Sequence, residues 1–206
     1  MSLTVSGSSA TNFPPIPEGT YLAVCYMLVD LGMQYNETYK TTSKKLLVGW
    51  EIPTETIELE DGPHTRTISK QYTASLNENA NLRKDLAAWR GRDFTEEELE
   101  AFNLRNVLGK SCMISIIHSK GTNGNTYANI QSIMALPKGM QPGKLTESTV
   151  ILDLDEDPLD QVERLPKWIA ERVKKSLTYQ ERLNAPDDLA DQTAYTDLND
   201  DGELPF

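Results

Sequence analysis

The chain has 206 residues, of which 38% are hydrophobic and 25% are charged, so it is long and apolar enough to form a core of its own. Its net charge of −11 argues at first against a nucleic-acid partner, because an acidic surface repels phosphates. We find no apolar run of about 18 residues that would span a membrane and no secretory signal, and we therefore expect a cytoplasmic protein.

The charge is unevenly distributed along the chain. The stretch 20–144 holds 14 acidic and 14 basic residues, whereas 146–163 holds seven acidic residues and no basic one. Residues 164–184 include six basic and two acidic residues, and 185–206 include seven acidic residues and no basic one. The acidity is therefore concentrated in two blocks near the C-terminus, and the neutral body can still carry a basic face.

Cysteine and histidine are too scarce to predict a zinc site. Cys25 and Cys112 lie in apolar runs, and His64 and His118 are far apart in the sequence. We expect reduced, buried thiols, no bound metal and no cofactor.

The first half of the body has the pattern of three β-strands. An arm rich in Ser, Thr and Pro precedes them, and Pro53 closes the second strand. An acidic hairpin loop at 54–63, with a turn at Asp61-Gly62, separates the second strand from the third. Apolar and β-branched residues place the strands at 21–31, 46–52 and about 65–74.

The apolar spacing then changes to that of helices. Leu82, Leu86 and Trp89 repeat at i, i+4 and i+7, and Gly91 is placed to end that helix. A capping box at Thr95 and Glu98 starts a second, short helix. Two further strands follow at 111–119 and 126–136, and the Asn-Gly turn between them predicts a hairpin.

The chain therefore divides into five predicted segments. An amphipathic helix at 164–184 is expected either to form a homodimer or to pack back on the body. The last twenty residues have little to bury and should be disordered. The segments are an N-terminal arm (1–19), a core (20–144), an acidic linker (145–163), the amphipathic helix (164–184) and an acidic tail (185–206).

Five strands with a helical insertion between the third and fourth form the element order of the OB-fold. This mainly-β, five-stranded barrel commonly binds oligonucleotides on strands 2 and 3 and on the loops joining strands 1–2 and 4–5. Other small α+β domains share the order, so that alternative stays open.

The chain ends in Asp200-Asp201-Gly202-Glu203-Leu204-Pro205-Phe206. This segment resembles the acidic tip of bacterial single-stranded DNA-binding proteins, in which acids precede an aliphatic residue, Pro and a terminal Phe. The resemblance implies a docking peptide for replication or recombination proteins, formed by Asp200, Asp201, Glu203, Leu204, Pro205 and Phe206.

A longer stretch, Trp89–Gly139, resembles a phage-encoded single-stranded DNA-binding family with an OB-fold. The features that match are a helix ending in Trp, Leu-Gly-Lys before the fourth strand and Tyr-Ala-Asn-Ile in the fifth, together with the earlier Lys44-Lys45 and Trp50-Glu51-Ile52-Pro53. The resemblance implies a phage replication or recombination accessory protein that acts in a bacterial cytoplasm.

Binding of single strands needs cations for phosphates and flat side chains for bases. The polar loop after the first strand interleaves both kinds, and strand three and the last hairpin add more. Strict alternation puts Tyr72 and Lys70 on the same face of the strand as Ile68. The sequence therefore leaves open whether Tyr72 fills the core or stacks on a base. The predicted DNA-binding residues are Tyr35, Tyr39, Lys40, Lys44, Lys45, Arg66, Lys70, Tyr72, Lys120 and Tyr127.

An enzyme is not expected. Gly109-Lys110-Ser111 lacks the first glycine of a phosphate-binding loop, and there is no nucleophile elbow. The alternative to DNA binding is an acidic adaptor or DNA mimic that binds no nucleic acid, and a phage structural component is a third hypothesis.

Overall fold

The computed structural model describes residues 14–59, 61–146 and 148–185. Its strands are β1 (Gly19–Asn36), β2 (Thr41–Leu59), β3 (Gly62–Thr73), β4 (Ser111–Lys120), β5 (Thr126–Met134) and β6 (Val150–Leu152). Its α-helices are α1 (Asn81–Arg90), α2 (Glu96–Glu100), α3 (Lys167–Lys174) and α4 (Leu177–Leu183), and 3₁₀ turns lie at Leu104–Val107 and Leu159–Arg164.

Five of the strands form one curled antiparallel sheet in the order β3-β2-β1-β4-β5. Contacts between β3 and β5, the two ends of this order, bring the sheet round into a half-barrel. β4 pairs with β1 only as far as Val24, and β6 then pairs in parallel with Met27–Val29. The fold is therefore mainly β, as the sequence predicts.

The first core fills the inside of the curled sheet. Trp50 packs against Trp89 of α1 with ring centroids 5.8 Å apart, and both rings are buried. Cys25 and Cys112 are fully buried free thiols in this core, and burial raises the pKa of Cys25 to about 12. Because burying one large apolar side chain contributes about 1.5–3 kcal/mol, this core contributes much of the stability.

The helix boundaries confirm the predictions made from local sequence. Gly91 adopts a left-handed conformation with φ of 70°, and its N–H donates to the carbonyls of Ala87 and Ala88 at the end of α1. Thr95 and Glu98 form the capping box, each side chain accepting from the other's backbone N–H.

A second core lies on the outer face of β1 and β2. Met27, Val29 and Leu31 point away from the barrel core and pack among the side chains of α3, α4 and the segment between β6 and α3. β1 is therefore buried on both faces, which explains its nearly continuous apolar sequence.

Two of the predicted segments, the acidic linker and the amphipathic helix, contribute to this second core. Much of the expected acidic linker is packed, since it forms β6 and buries Leu152 and Leu154. The single helix predicted over 164–184 is broken into α3 and α4 at Ser176, whose buried hydroxyl accepts from the Tyr179 N–H at 3.1 Å and starts α4. The two helices pack back on the sheet, which is one of the two expected arrangements.

Strand β2 also differs from its predicted extent. It continues past Pro53 to Leu59 and pairs with β3 as far as Gly62. Its register shifts between Ile52 and Thr56, so Pro53 lies in a bulge where no ladder hydrogen bond is required of it. The expected acidic loop at 54–63 is therefore an extension of the β2–β3 hairpin.

The described part of the chain holds no helix both long and apolar enough to cross a membrane. Of the predicted N-terminal arm, residues 14–18 run along the barrel, where Ile16 is buried and its carbonyl lies 2.8 Å from His118 Nε2. Residues 1–13 of the arm lie outside the described residues, as does most of the acidic tail.

Candidate nucleic-acid interface

The β1–β2 turn presents two tyrosine rings to solvent. Tyr35 is 54% exposed at the end of β1, and Tyr39 is 76% exposed in the turn. The Asn36 side chain holds the turn by accepting from the N–H groups of Thr38 and Tyr39 at 3.0 and 3.1 Å. Lys40 follows, exposed and in a left-handed conformation with φ of 52°. The turn therefore presents two open rings and a cation to solvent.

The side chain of Lys44 is 34% exposed, and two carboxylates hold its ammonium in place. Its ammonium lies 3.0 Å from the buried carboxylate of Asp30 and also pairs with Asp155. Burial lowers the pKa of Lys44, but hydrogen bonds to Asp155 and Asp30 outweigh this effect, and the pKa is raised overall. Lys44 thus joins the β1–β2 hairpin to the segment after β6 and is not placed to contact phosphate.

Asp30, Asp153 and Asp155 can bring carboxylate oxygens within 4.8 Å of one another. Lys44 occupies the space beside Asp30 and Asp155 and supplies the compensating charge. The cluster is therefore a salt-bridged junction of β1, β2 and the segment after β6.

The outward face of β3 is polar and uncharged. Thr67, Ser69, Gln71 and Thr73 alternate along this face, opposite the inward-pointing Ile68 and Tyr72. Lys45 extends the face, since it pairs with Thr73 in register and donates from Nζ to the Thr73 hydroxyl at 2.7 Å. Such side chains can hydrogen-bond to bases or phosphates without selecting a sequence.

Tyr26 adds a ring to this face that sequence reasoning missed. A Cβ at Gly49 would lie 3.0 Å from the Tyr26 ring, so glycine allows the ring to pack over β2. Burial raises the pKa of Tyr26, and a hydrogen bond from Thr67 opposes the rise. A bulge between Cys25 and Met27 turns Tyr26 outward, and no pattern in the sequence indicates that bulge.

Lys70 and Tyr72 both face α1, which corrects the prediction for Lys70 and places the Tyr72 ring in the core. The Lys70 ammonium and the Tyr72 hydroxyl both donate to Asp85 of α1, each at 2.7 Å. Tyr72 is buried, and desolvation together with the Asp85 charge raises its pKa. Asp85 therefore satisfies both groups where α1 packs against β3, so the Tyr72 ring is closed to bases and the Lys70 ammonium is already paired within the protein.

Arg66 is partly buried at the other end of β3. Its guanidinium donates to the carbonyl of Pro14, so it fixes the N-terminal segment against the barrel. Arg66 therefore holds the N-terminal segment in place next to the polar face of β3.

The β4–β5 hairpin presents the last predicted pair. Lys120 is exposed at the end of β4, and Tyr127 is 46% exposed at the start of β5. The Tyr127 ring packs over Gly121, where a Cβ would lie 2.6 Å from the ring, and its hydroxyl accepts from Asn123 at 2.7 Å. The ring is thus held in a defined position with one side open.

The open residues fall into two groups at the two ends of the sheet. β1 begins opposite Ile116, near the end of β4, and ends at the β1–β2 turn. One end therefore holds Tyr35, Tyr39 and Lys40, and the other holds Lys120 and Tyr127. The polar face of β3 lies between them, and the docking-tip residues Asp200, Asp201, Glu203, Leu204, Pro205 and Phe206 lie outside the described residues.

Comparison of the chain with protein-family models and with curated proteins gives no match.

Proposed function

We propose that the protein binds single-stranded DNA without sequence choice, through an OB-fold body, in phage replication or recombination. The sheet order, the contacts between β3 and β5 and the placement of α1 between β3 and β4 support the OB-fold interpretation. In that fold, strands 2 and 3 and the loops joining strands 1–2 and 4–5 form the usual oligonucleotide surface.

One observation carries the proposal. The outward face of β3 is polar and uncharged, exposed at Thr67 and Thr73 and half-buried at Ser69 and Gln71, and it runs between two hairpin turns that each present an exposed tyrosine and a lysine. Stacking of a base on an aromatic ring contributes about 1–3 kcal/mol and accepts any base. In this proposal Tyr39, Tyr127 and the partly buried Tyr26 would stack on bases, and Lys40, Lys45 and Lys120 would contact phosphates.

The net negative charge is compatible with this proposal. The body over 20–144 is neutral, and the acidic segment after β6 is partly neutralised by ion pairs that Lys44 and Arg105 make with Asp155 and Asp153. We further propose that the tip Asp200–Phe206 recruits replication or recombination proteins through its terminal Phe and neighbouring acids. A short acidic segment with one apolar anchor suits such modest, exchangeable binding.

Fluorescence anisotropy of the full chain with labelled oligo-dT of about 30 nucleotides tests the proposal, because that length exceeds the span of a single OB-fold. We expect binding near 50 mM salt that weakens about tenfold or more by about 200 mM, since counterions are released on binding. Duplex DNA of the same length should bind far more weakly. No binding at low salt would refute the proposal and favour an acidic adaptor or DNA mimic.

A further inference from the structure

Helix α3 exposes a tryptophan although the rest of its apolar surface is covered. Ile169, Ala170 and Val173 are buried in the second core, whereas Trp168 is 52% exposed. The other two tryptophans, Trp50 and Trp89, are only 1% and 7% exposed. Trp168 is therefore available to a ligand and is not required to fill the core.

Two cations share the outward side of α3 with Trp168. Arg172 lies four residues after it and Lys175 seven, so all three side chains follow one side of the helix and its end. Both cations are exposed, and within the described residues neither forms an ion pair. Lys167 and Lys174, by contrast, pair with Glu171 and Glu163.

The end of α3 and the start of α4 are attached to the last residues of β1, just before the β1–β2 turn. Gln34, next to Tyr35, donates from Nε2 to the Arg172 carbonyl at 3.1 Å. The Met33 N–H donates to the Thr178 hydroxyl of α4 at 3.0 Å. Gly32 allows the close approach, since a Cβ there would lie 2.6 Å from Ser176 Oγ. The helices are therefore attached to the strand that carries Tyr35 and leads into the turn with Tyr39.

We propose that this surface, formed by Trp168, Arg172 and Lys175, binds single-stranded DNA as a continuation of the path across the β1–β2 turn. Trp168 would stack on a base, and the two cations would contact adjacent phosphates. The inference rests on the proposed function and adds the C-terminal helices, which lie outside the barrel, to the DNA-binding surface.

The chemistry of this surface favours a nucleic acid over a second copy of the chain. A stable dimer buries about 800 Å² per partner around an apolar centre, whereas one tryptophan supplies about 150–250 Å². Trp168 is the only large exposed hydrophobic residue of α3, and the adjacent α4 exposes only Leu177 and Leu183. A single flat ring beside unpaired cations fits a base and its phosphates, and residues 164–184 are the one strongly basic stretch of the chain, with six basic and two acidic residues.

Tryptophan fluorescence of the full chain during titration with oligo-dT tests the inference. Because Trp50 and Trp89 are buried, quenching on binding reports mainly on Trp168. We expect Trp168→Ala to remove the quenching and to raise the Kd, followed by anisotropy, about 5- to 150-fold. Trp168→Phe keeps a flat ring and should retain most of the affinity.

The cations are tested by the salt dependence of binding. Replacing Arg172 and Lys175 with Gln should reduce the slope of log K against log salt by about 0.7 for each lost phosphate contact. Matched controls are Leu177→Ala, an equally exposed apolar residue of α4, and Lys84→Gln, an exposed lysine of α1. Both controls should bind as the unaltered chain does.

The outcomes separate this inference from the proposed function. If the unaltered chain binds but Trp168→Ala matches Leu177→Ala in Kd, the inference is refuted and the proposed function stands. If the unaltered chain does not bind at low salt, both are refuted. Sedimentation that shows a dimer converted to monomer by Trp168→Ala would also refute it and assign the surface to self-association. Should Trp168→Ala fail to fold, two other results together would refute the inference. The tryptophan fluorescence of the unaltered chain would not be quenched on binding oligo-dT, and the variant with Arg172→Gln and Lys175→Gln would keep an unchanged salt slope.

Discussion

Gly32→Ala tests whether the C-terminal helices are rigidly attached to the sheet. Gly32 has φ of +70°, a conformation that costs an L-residue about 1–2 kcal/mol. An added Cβ would also lie 2.6 Å from Ser176 Oγ and 2.8 Å from Leu154 Cδ2. Neither neighbour moves easily, because Ser176 is fully buried and caps α4 and Leu154 is fully buried in the second core.

The expected loss combines backbone strain with overpacking. Overpacking a filled core costs about 1–3 kcal/mol, so Gly32→Ala should lower the free energy of unfolding by about 2–5 kcal/mol in total. Gly109→Ala is the matched control, since Gly109 has φ of +72° and nothing within 4 Å of its added Cβ. The control should lose only the strain, about 1–2 kcal/mol.

Urea unfolding followed by circular dichroism measures both variants. The difference between them isolates the contact of Gly32 with the C-terminal helices. Independent sites vary by about 0.5 kcal/mol in such measurements. If Gly32→Ala and Gly109→Ala lower the free energy of unfolding by amounts that agree within that range, close packing of Gly32 against the C-terminal helices is refuted.

Three further predictions concern the barrel and the tail. Asp85→Ala should lower the free energy of unfolding by about 1–3 kcal/mol, because it leaves the buried Tyr72 hydroxyl without its acceptor; thermal or urea unfolding that matches the unaltered chain would contradict this. Arg92 and the Thr95 N–H lower the pKa of Glu98 to about 2, so its ionised form stabilises the fold above about pH 4.5 and that contribution disappears as the pH falls towards 2. The stability difference between the unaltered chain and Glu98→Gln should therefore shrink over that range, and a difference independent of pH would show that the charge of Glu98 is not its source. Deleting residues 185–206 should tighten oligo-dT binding at low salt, because the acidic tail would no longer compete with DNA; anisotropy showing unchanged affinity would exclude that competition.

Local sequence predicts the body of the fold well. Leu82, Leu86 and Trp89 define the buried side of α1, and the Asn-Gly turn marks the β4–β5 hairpin. These features depend on neighbouring residues, so a single sequence contains the information.

The second core is hidden for two physical reasons. A strand buried on both faces has the same apolar run as any buried strand, so β1 does not reveal a second partner. Leu152 and Leu154 alternate with Asp153 and Asp155, and the charge of this stretch favoured a linker although its alternation is typical of a strand.

The exposure of candidate site residues can be predicted from the sequence only where those residues lie in or beside turns. The exposure of Tyr39 and Tyr127 follows from their positions in or beside tight turns. The roles of Lys44 and Lys70 depend on partners distant in sequence, Asp155 and Asp85, which only the folded chain brings close. Basic residues in β-rich stretches are therefore weak indicators of a phosphate-binding surface.

Photo-crosslinking of the full chain to oligo-dT substituted with 5-iodouracil, followed by peptide mass spectrometry, tests the central proposal most directly. We expect crosslinks to the exposed Tyr39 and Tyr127 at the two ends of the sheet and to the partly buried Tyr26 on the face between them, because the proposal has these rings stack on bases. Crosslinks confined to the solvent side of α1, or no crosslinked complex at low salt, would contradict the proposal that this face of the sheet binds single-stranded DNA.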